Sequence, residues 1–275
     1  MIKDLVVNLS VGKQRDVAGE FALSVAAKFD AHVSAVAFAY EPPIGGSVFD
    51  GMVPSVIDTW RAEREAEAKQ ARESIEGRAR IGKIKIDSRI ISDGTANAAQ
   101  VFASLARNYD LAVVAQPEPK TDLPESLIVE AALFDSGRPV LVVPYIQDGG
   151  LKLDRVAVCW DGSRNAARAI GDAMPLLARA GKIDVITVAH KERRDQVPGT
   201  LIATHLARHK LKVELKPIVA ADGDAANVIL SYVADNDIDL IVMGGYGHTR
   251  LREFVLGGAT RGILETMTVP TLMAH

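Results

Sequence analysis

The chain repeats one pattern twice, and this repeat decides the fold. Residues 92–96 read SDGTA and residues 110–114 read DLAVV; 129 positions later, residues 221–225 read ADGDA and residues 239–243 read DLIVM. The identical positions are Asp93/Asp222, Gly94/Gly223, Ala96/Ala225, Asp110/Asp239, Leu111/Leu240 and Val113/Val242. This period is far longer than a solenoid unit, so it indicates two copies of a whole domain.

The two halves also open and close alike. Each opens with an apolar strand, Leu5–Leu9 or Val156–Trp160, and closes with another that follows a proline, Val140–Val143 or Thr271–Ala274. A polar, glycine-containing segment at residues 147–150 separates them and is typical of a linker. We therefore expect one domain at residues 1–148 and a second at residues 152–275.

Strands and helices are predicted to alternate within each half. In the first half, apolar spacing predicts helices at residues 16–29, 54–80, 95–108 and 124–136, and further strands at 32–40, 84–90 and 111–115. Strands that are apolar on both faces and separated by helices form parallel sheets covered on both sides. The expected fold is α/β, with two consecutive doubly wound, parallel, five-stranded sheets of Rossmann-like type. Ligands would lie beyond the carboxyl ends of the strands.

Composition excludes several classes of protein. The 275 residues are 48% hydrophobic and 24% charged, with a net charge of −3, so no basic surface field favours nucleic acid or an anionic membrane. The single cysteine, Cys159, excludes an intramolecular disulfide and a CxxC site. The sequence has no apolar stretch long enough for a membrane span, and its first residues do not resemble a leader, so we expect a cytoplasmic protein.

One glycine-rich segment carries the strongest functional signal. Residues 243–260 read MGGYGHTRLREFVLGGAT, in which Gly244, Gly247 and Gly257 have the spacing G-x2-G-x9-G. Glycines let a phosphate approach backbone N–H groups, and the helix that starts at the end of this segment favours an anion. The spacing matches neither the Walker motif nor the dinucleotide fingerprint.

This segment resembles that of the universal stress protein family, whose ATP-binding members have the same glycine spacing after an apolar strand. Those members also have an aspartate at the end of the domain's first strand, and Trp160-Asp161-Gly162-Ser163 supplies one here. Because the resemblance covers both halves, the chain is similar to a tandem universal stress protein. The resemblance implies a regulatory role in the stress response and an ATP, ADP or AMP ligand. Whether Mg²⁺ binds together with the nucleotide is left open.

The resemblance also implies which residues hold the nucleotide. Asp161 and Trp160 would face adenine and ribose, Val188 would line the adenine pocket, and Met243 and Gly244 would bracket the nucleoside. The third glycine is followed by Gly258 rather than a serine or threonine, so only Thr260 keeps a hydroxyl there. The implied binding residues are Trp160, Asp161, Gly162, Val188, Met243, Gly244, Gly247, Gly257, Gly258, Ala259 and Thr260.

The first half lacks these features. Ser10 stands where Asp161 stands in the second half, and the segment after residue 115 has no glycine. Glu118 would repel a phosphate, while Pro117 and Pro119 remove N–H donors. We expect one nucleotide per chain, held by the second half.

Less specific interpretations exist for several of these residues. The glycine-rich segment could be a loop without a ligand, and Asp161 or Ser163 could serve only to cap a helix. Cys159 is expected to be an apolar filler, and His205 with His209 to be a solvated pair rather than a metal site.

Two classes of function remain open: a nucleotide-binding regulator, and a slow ATP hydrolase or phosphotransferase. No Walker lysine or triad is readable, which favours binding without fast turnover. The two closing strands are expected to pair within the chain, and apolar residues 48–53 suggest a homodimer.

Overall fold

The computed structural model of the chain describes residues 1–41, 54–118, 123–189, 199–220, 224–245 and 258–275. Strands and helices alternate along these ranges. The strands are β1 Asp4–Asn8, β2 His32–Glu41, β3 Ile86–Gly94, β4 Leu111–Ala115, β5 Val140–Val143, β6 Arg155–Cys159, β7 Lys182–Ala189, β8 Val213–Val219, β9 Leu240–Gly244 and β10 Thr271–Ala274. The helices are α1 Val17–Phe29, α2 Pro54–Gly82, α3 Thr95–Ala106, α4 Leu123–Asp135, α5 Arg164–Leu177, α6 Gly199–Arg208, α7 Ala225–Asp235 and α8 Gly258–Thr266.

The chain forms two compact units. The first unit contains residues 1–138 and 148–150, and the second contains residues 139–147 and 151–275. Strand β5 therefore belongs to the second unit, although the repeat places it in the first half of the sequence.

The first unit is built on parallel strands in the order β3-β2-β1-β4. Asp4 lies opposite His32 of β2, and Leu5 lies opposite Leu111 of β4, so β1 has a neighbour on each side. Strands β1 and β4 are buried almost throughout, whereas β3 alternates between partly buried and exposed residues, as an edge strand does. The order places a switch point at the carboxyl ends of β1 and β4.

The second unit repeats this order and extends it. Its strands run β8-β7-β6-β9-β10-β5, parallel except that β5 is antiparallel to β10, with Leu272 opposite Leu141. Strands β5 and β10 are the pair whose association the sequence predicts. The switch point of this unit lies at the carboxyl ends of β6 and β9.

The repeated aspartates have a structural role. Asp110 Oδ2 accepts a hydrogen bond from the backbone N–H of Lys3 at 2.8 Å, and Asp239 Oδ2 accepts one from Arg155 at 2.9 Å. Each aspartate precedes the fourth strand of its copy and holds the start of the first strand beside it. The identity of these residues at one offset therefore follows from the fold.

The predicted α/β class with alternating strands and helices is confirmed. Strand β3 covers Ile86–Gly94 instead of the predicted residues 84–90. It starts later because the residues directly before it form the end of helix α2. Lys83 has a positive φ of 55°, and the Ile84 N–H donates to the Ala79 carbonyl at 2.9 Å. The apolar residues 48–53, offered as a homodimer surface, lie outside the described residues.

Candidate functional site

The end of β6 turns directly into helix α5. The Trp160 N–H donates to the Ile186 carbonyl of β7 at 2.8 Å, which keeps the chain in the sheet for one more residue. Gly162 has a φ of 79°, a conformation that glycine adopts without a steric cost. Ser163 then caps α5: its hydroxyl accepts a hydrogen bond from the Ala166 N–H at 3.1 Å.

Asp161 lies in this turn with an exposed side chain. Its Oδ1 accepts a hydrogen bond from the Ser163 N–H at 2.9 Å, which fixes the carboxylate at the mouth of the crevice. The capping role expected for this tripeptide therefore belongs to Ser163. Because the residue is exposed, its other carboxylate oxygen can accept hydrogen bonds from a ligand.

Strand β9 ends against the first turn of α5. A Cβ built on Gly244 would lie 2.6 Å from the Ala166 nitrogen and 2.7 Å from the Asn165 carbonyl carbon. Gly244 is therefore required for the close approach of strand and helix, whatever ligand is present. Met243, one residue earlier, is buried.

Two residues that the sequence did not single out hold this strand end in place. Asn165 is buried, and its Nδ2 donates to the Gly245 carbonyl at 2.7 Å and lies 3.0 Å from His275 Nδ1. His275 Nδ1 is also 3.2 Å from the same carbonyl. These contacts join residues that are 80 and 110 positions apart in the chain. The sequence could therefore indicate the role of Asn165 only through its place in the first turn of α5.

Helix α8 begins at Gly258, an exposed residue. No described atom lies within 4 Å of a Cβ built there, whereas Thr260 in the same turn is buried. As the crossover helix between β9 and β10, α8 starts at the carboxyl edge of the sheet. Its first N–H groups have no partner within the helix, so this turn can bind an anion.

The apolar side of the crevice is formed by neighbouring strands. Val188, near the end of β7, is half-buried, and Trp160 extends from the end of the adjacent strand β6. The Trp160 Nε1 atom is inaccessible to solvent and has no hydrogen-bond partner within the described residues. An indole N–H in this situation is a donor available to a ligand oxygen.

Cys159, beside Trp160, is not a reactive group. Desolvation by burial raises the pKa of its thiol to about 12, and the nearby Asp161 carboxylate adds to the shift. The thiolate that nucleophilic chemistry requires is therefore scarce at neutral pH, in line with the expected role of an apolar filler.

The structure brings most of the predicted site residues to one edge. Those at the carboxyl ends of β6, β7 and β9 are Trp160, Asp161, Gly162, Val188, Met243 and Gly244. Gly258, Ala259 and Thr260 form the first turn of α8. Gly247 and Gly257, which the glycine motif also names, lie outside the described residues.

The corresponding edge of the first unit is different. Ser10 is buried, and its N–H donates to Asp16 Oδ1 at 3.2 Å. Asp16 also caps α1. Glu118, expected to repel a phosphate, is paired instead with Lys13 at 3.1 Å. The carboxylate in the first turn of α4 is Glu125, which is only 8% exposed.

A cluster of charges lies at the opposite, amino-terminal edge of the second unit. Asp184 is fully buried, and its Oδ2 accepts hydrogen bonds from Arg155 Nε at 2.7 Å and from the Tyr232 hydroxyl at 2.9 Å. Desolvation and the hydrogen bond to Asp184 raise the pKa of Tyr232 to about 12. Lys182 and Lys216 both pair with Glu214 and lower its pKa to about 2. This cluster joins three strands to α7 and lies away from the carboxyl ends of β6 and β9.

The described ranges contain neither a clustered set of metal ligands nor a membrane-spanning helix. There, no group of three histidine, cysteine or acidic side chains is arranged to hold a metal ion. The rings of His205 and His209 contact each other edge to face at 4.9 Å between centroids. None of the described helices is long and apolar enough to cross a membrane.

This geometry defines an α/β domain whose parallel strands reverse their order between β6 and β9, the place where such sheets bind ligands. Residues 152–275 match the model of the Universal stress protein family. A universal stress protein of Synechocystis sp. is 29% identical over 124 residues, which are 44% of this chain and 42% of that relative. The chain thus spans less than half the length of this curated relative. Residues 152–275 are therefore similar to the universal stress protein family, the family that the glycine-rich segment resembles.

Solved structures extend the fold similarity to the whole chain. A universal stress protein from Archaeoglobus fulgidus has a TM-score of 0.66 at 17% identity, covering 98% of this chain and 97% of that one. A protein of unknown function from Pseudomonas aeruginosa has a TM-score of 0.58 at 15% identity, covering 99% and 92%. At these identities the similarity shows the fold alone.

Proposed function

We propose that residues 152–275 bind an adenine nucleotide, ATP, ADP or AMP, in the crevice at the carboxyl ends of β6 and β9. The chain then acts as a nucleotide-dependent regulator in the stress response. The observation that carries this proposal is the first turn of α8, where the exposed Gly258 puts no side chain in front of the helix N-terminus and no described side chain lies within 4 Å of a Cβ built there.

The phosphate end of the ligand is assigned to this turn. The backbone N–H groups of residues 258–260 supply donors, and the helix dipole favours the negative charge. A side chain at Gly258 would occupy the approach path, which gives a physical reason for glycine there. Magnesium is not part of the proposal.

The base and ribose are assigned to the other side of the crevice. The exposed Asp161 carboxylate accepts hydrogen bonds from ribose hydroxyls or an adenine amino group, while Val188 and Trp160 provide apolar contact. Trp160 Nε1, which is inaccessible to solvent and has no hydrogen-bond partner among the described residues, donates to a ligand oxygen or ring nitrogen. These groups fit a nucleoside better than they fit a bare anion.

We further propose that the chain is a tandem protein, with one universal stress protein domain at residues 1–148 and one at residues 152–275. The whole-chain fold similarity and the repeated aspartates Asp110 and Asp239 support this division. The glycine-rich segment and the turn at Gly258 lie in the second domain, so we expect the chain to bind one nucleotide.

Calorimetric titration of the full chain with ATP, ADP and AMP tests the proposal. We expect one site per chain. Asp161→Ala should weaken binding by about 1–3 kcal/mol, the range for a lost hydrogen bond to a charged group. Gly258→Val should weaken it strongly while leaving the thermal stability nearly unchanged.

The matched control is Ser10→Ala, the equivalent change in the first unit, which should leave nucleotide affinity unaltered. Two equal sites per chain would contradict the assignment to the second unit. Absence of binding of all three nucleotides, or full affinity in Gly258→Val, would show that the α8 turn is not a phosphate site.

A further inference from the structure

Strands β3 and β8 are the outermost strands of their units, and no described strand pairs with their outer edges. In the first unit the Val33 N–H donates to the Lys85 carbonyl at 3.0 Å, and in the second unit the Ile183 N–H donates to the Lys212 carbonyl at 2.8 Å. The backbone groups of successive residues in a strand face alternate sides. Counting from these two lysines therefore shows which residues direct their N–H and C=O groups away from the sheet.

The two outer edges differ at one position. Ile90 and Pro217 are each the fifth residue after the accepting lysine, so both direct their backbone groups outward. Pro217 has no N–H, which costs β8 no bond to β7 but interrupts its outer edge and opposes the addition of another strand. Strand β3 has no proline, and its outward N–H groups belong to Ile86, Ser88, Ile90, Ser92 and Gly94. Among the described residues, the outer edge of β3 is therefore open to a further strand.

Two opposite charges stand on this open edge. Asp87 and Arg89 are exposed and share one face of β3, and Arg89 Nη2 lies 3.3 Å from Asp87 Oδ2. The Ser34 hydroxyl also donates to Asp87 Oδ2 at 3.0 Å, and His32 Nε2 lies 3.2 Å from Asp87 Oδ1. These contacts hold the carboxylate at the edge of the strand, while the guanidinium has more N–H donors than they use.

A second copy of the chain complements this edge. When two β3 strands pair antiparallel about a two-fold axis at Ser88, Asp87 lies directly opposite Arg89 of the second copy, and the symmetry forms this pair twice. Ile86 then lies opposite Ile90 of the second copy. Because these residues all direct their backbone outward, the N–H and C=O groups of the two strands bond to each other.

The charges also select the register. An axis at residue 87, 89 or 90 would place two aspartates or two arginines opposite one another, which is unfavourable. An axis at residue 91 would pair Arg89 with Asp93. The Asp93 carboxylate, however, already accepts hydrogen bonds from the Gly94 N–H and the Asn97 side chain at the start of α3. The axis at Ser88 uses the exposed carboxylate of Asp87 instead.

We propose that two copies of the chain associate through β3, antiparallel and with the two-fold axis at Ser88. The backbone groups of the two outer edges supply the affinity, and the two pairs between Asp87 and Arg89 set the register. Pro217 prevents the same association at β8. This interface lies in the first unit and does not depend on the nucleotide proposed for the second.

Sedimentation equilibrium of the full-length chain tests the association. We expect a dimer at about 0.1 mM chain. Ile90→Pro places in β3 the proline that β8 has, so it should raise the dissociation constant by at least about tenfold without removing a bond to β2. Ile90→Val is the matched control, because it keeps the N–H and the branched side chain, and it should remain dimeric.

Charge exchange tests the register. Arg89→Asp and Asp87→Arg, made separately, each oppose like charges twice across the axis, and each should raise the dissociation constant by about tenfold to a hundredfold. An equimolar mixture of these two variants should associate again, because every aspartate then faces an arginine of the other variant. Lys216→Asp, at the corresponding position of β8, is the control that should leave the dimer unchanged.

The proposal is overturned if the unmodified chain is a monomer at about 0.1 mM, since the edge then does not bind a second copy. It is also overturned if Ile90→Pro associates as tightly as Ile90→Val. If Ile90→Pro does not fold, the charge variants decide: a dimer that tolerates Asp87→Arg, or a mixture that fails to associate, contradicts the axis at Ser88.

Discussion

Replacement of Gly244 by alanine should destabilise the second unit through a backbone clash. The added Cβ would lie 2.6 Å from the Ala166 nitrogen and 2.7 Å from the Asn165 carbonyl carbon, whereas ordinary contact begins at 3.4 Å. The start of α5 must therefore retreat from β9 by most of an ångström. Both partners are backbone atoms, so no side-chain rotation relieves the clash.

The magnitude follows from two terms. Overpacking of this kind costs about 1–3 kcal/mol. The displacement of α5 also lengthens the 2.7 Å hydrogen bond from Asn165 to the Gly245 carbonyl, worth about 1 kcal/mol. We expect the free energy of unfolding of the second unit to fall by about 2–4 kcal/mol.

Urea unfolding followed by tryptophan fluorescence measures this change. The chain has two tryptophans, Trp60 in α2 and Trp160 after β6. A Trp60→Phe background leaves Trp160 as the reporter of the second unit. The midpoint should move to lower urea at a constant slope.

Gly258→Ala provides the control, because no described atom lies within 4 Å of its added Cβ. We expect its free energy of unfolding to stay within about 0.5 kcal/mol of that of the unmodified chain. If Gly244→Ala and Gly258→Ala unfold at the same urea concentration, the close approach of β9 and α5 does not exist.

Further predictions concern the charged and thiol groups of the second unit. Arg155→Met should lower stability by about 3 kcal/mol, because it removes the nearer of the two cations that the described residues place beside the buried Asp184 and leaves Lys182 at 3.9 Å; Arg168→Met, at a more exposed helical pair, should cost less than about 1 kcal/mol in the same denaturation experiment. The pKa of Tyr232 is raised from 10.0 to about 12, so its contribution to stability is complete below pH 10 and is lost as the pH rises towards 12. Tyr232→Phe should flatten the dependence of the unfolding midpoint on pH in that range, and an unchanged dependence would contradict the assignment. The pKa of Cys159, about 12, predicts slow labelling by a thiol reagent at pH 8 and fast labelling after denaturation, and equal rates would show that the sulfur is solvated.

The sequence by itself determined the elements and their order. Helical spacing, apolar strands and the repeat at one offset are properties of neighbouring residues, so they predicted the α/β class and nearly every helix and strand. The cap at Ser163 was also readable, because its hydrogen bond to the Ala166 N–H spans three positions. The glycine spacing pointed to the family whose model residues 152–275 match.

The tertiary structure decided how these elements meet. Gly244 is a glycine because α5 approaches it, and Asn165 supports the same strand end across the unit. Nothing in the local sequence indicates that Asn8 is buried, or that its side-chain oxygen has no hydrogen-bond donor among the described residues. Burial and close approach depend on residues far apart in the chain, and short-range periodicity carries no record of which distant residue will be the neighbour.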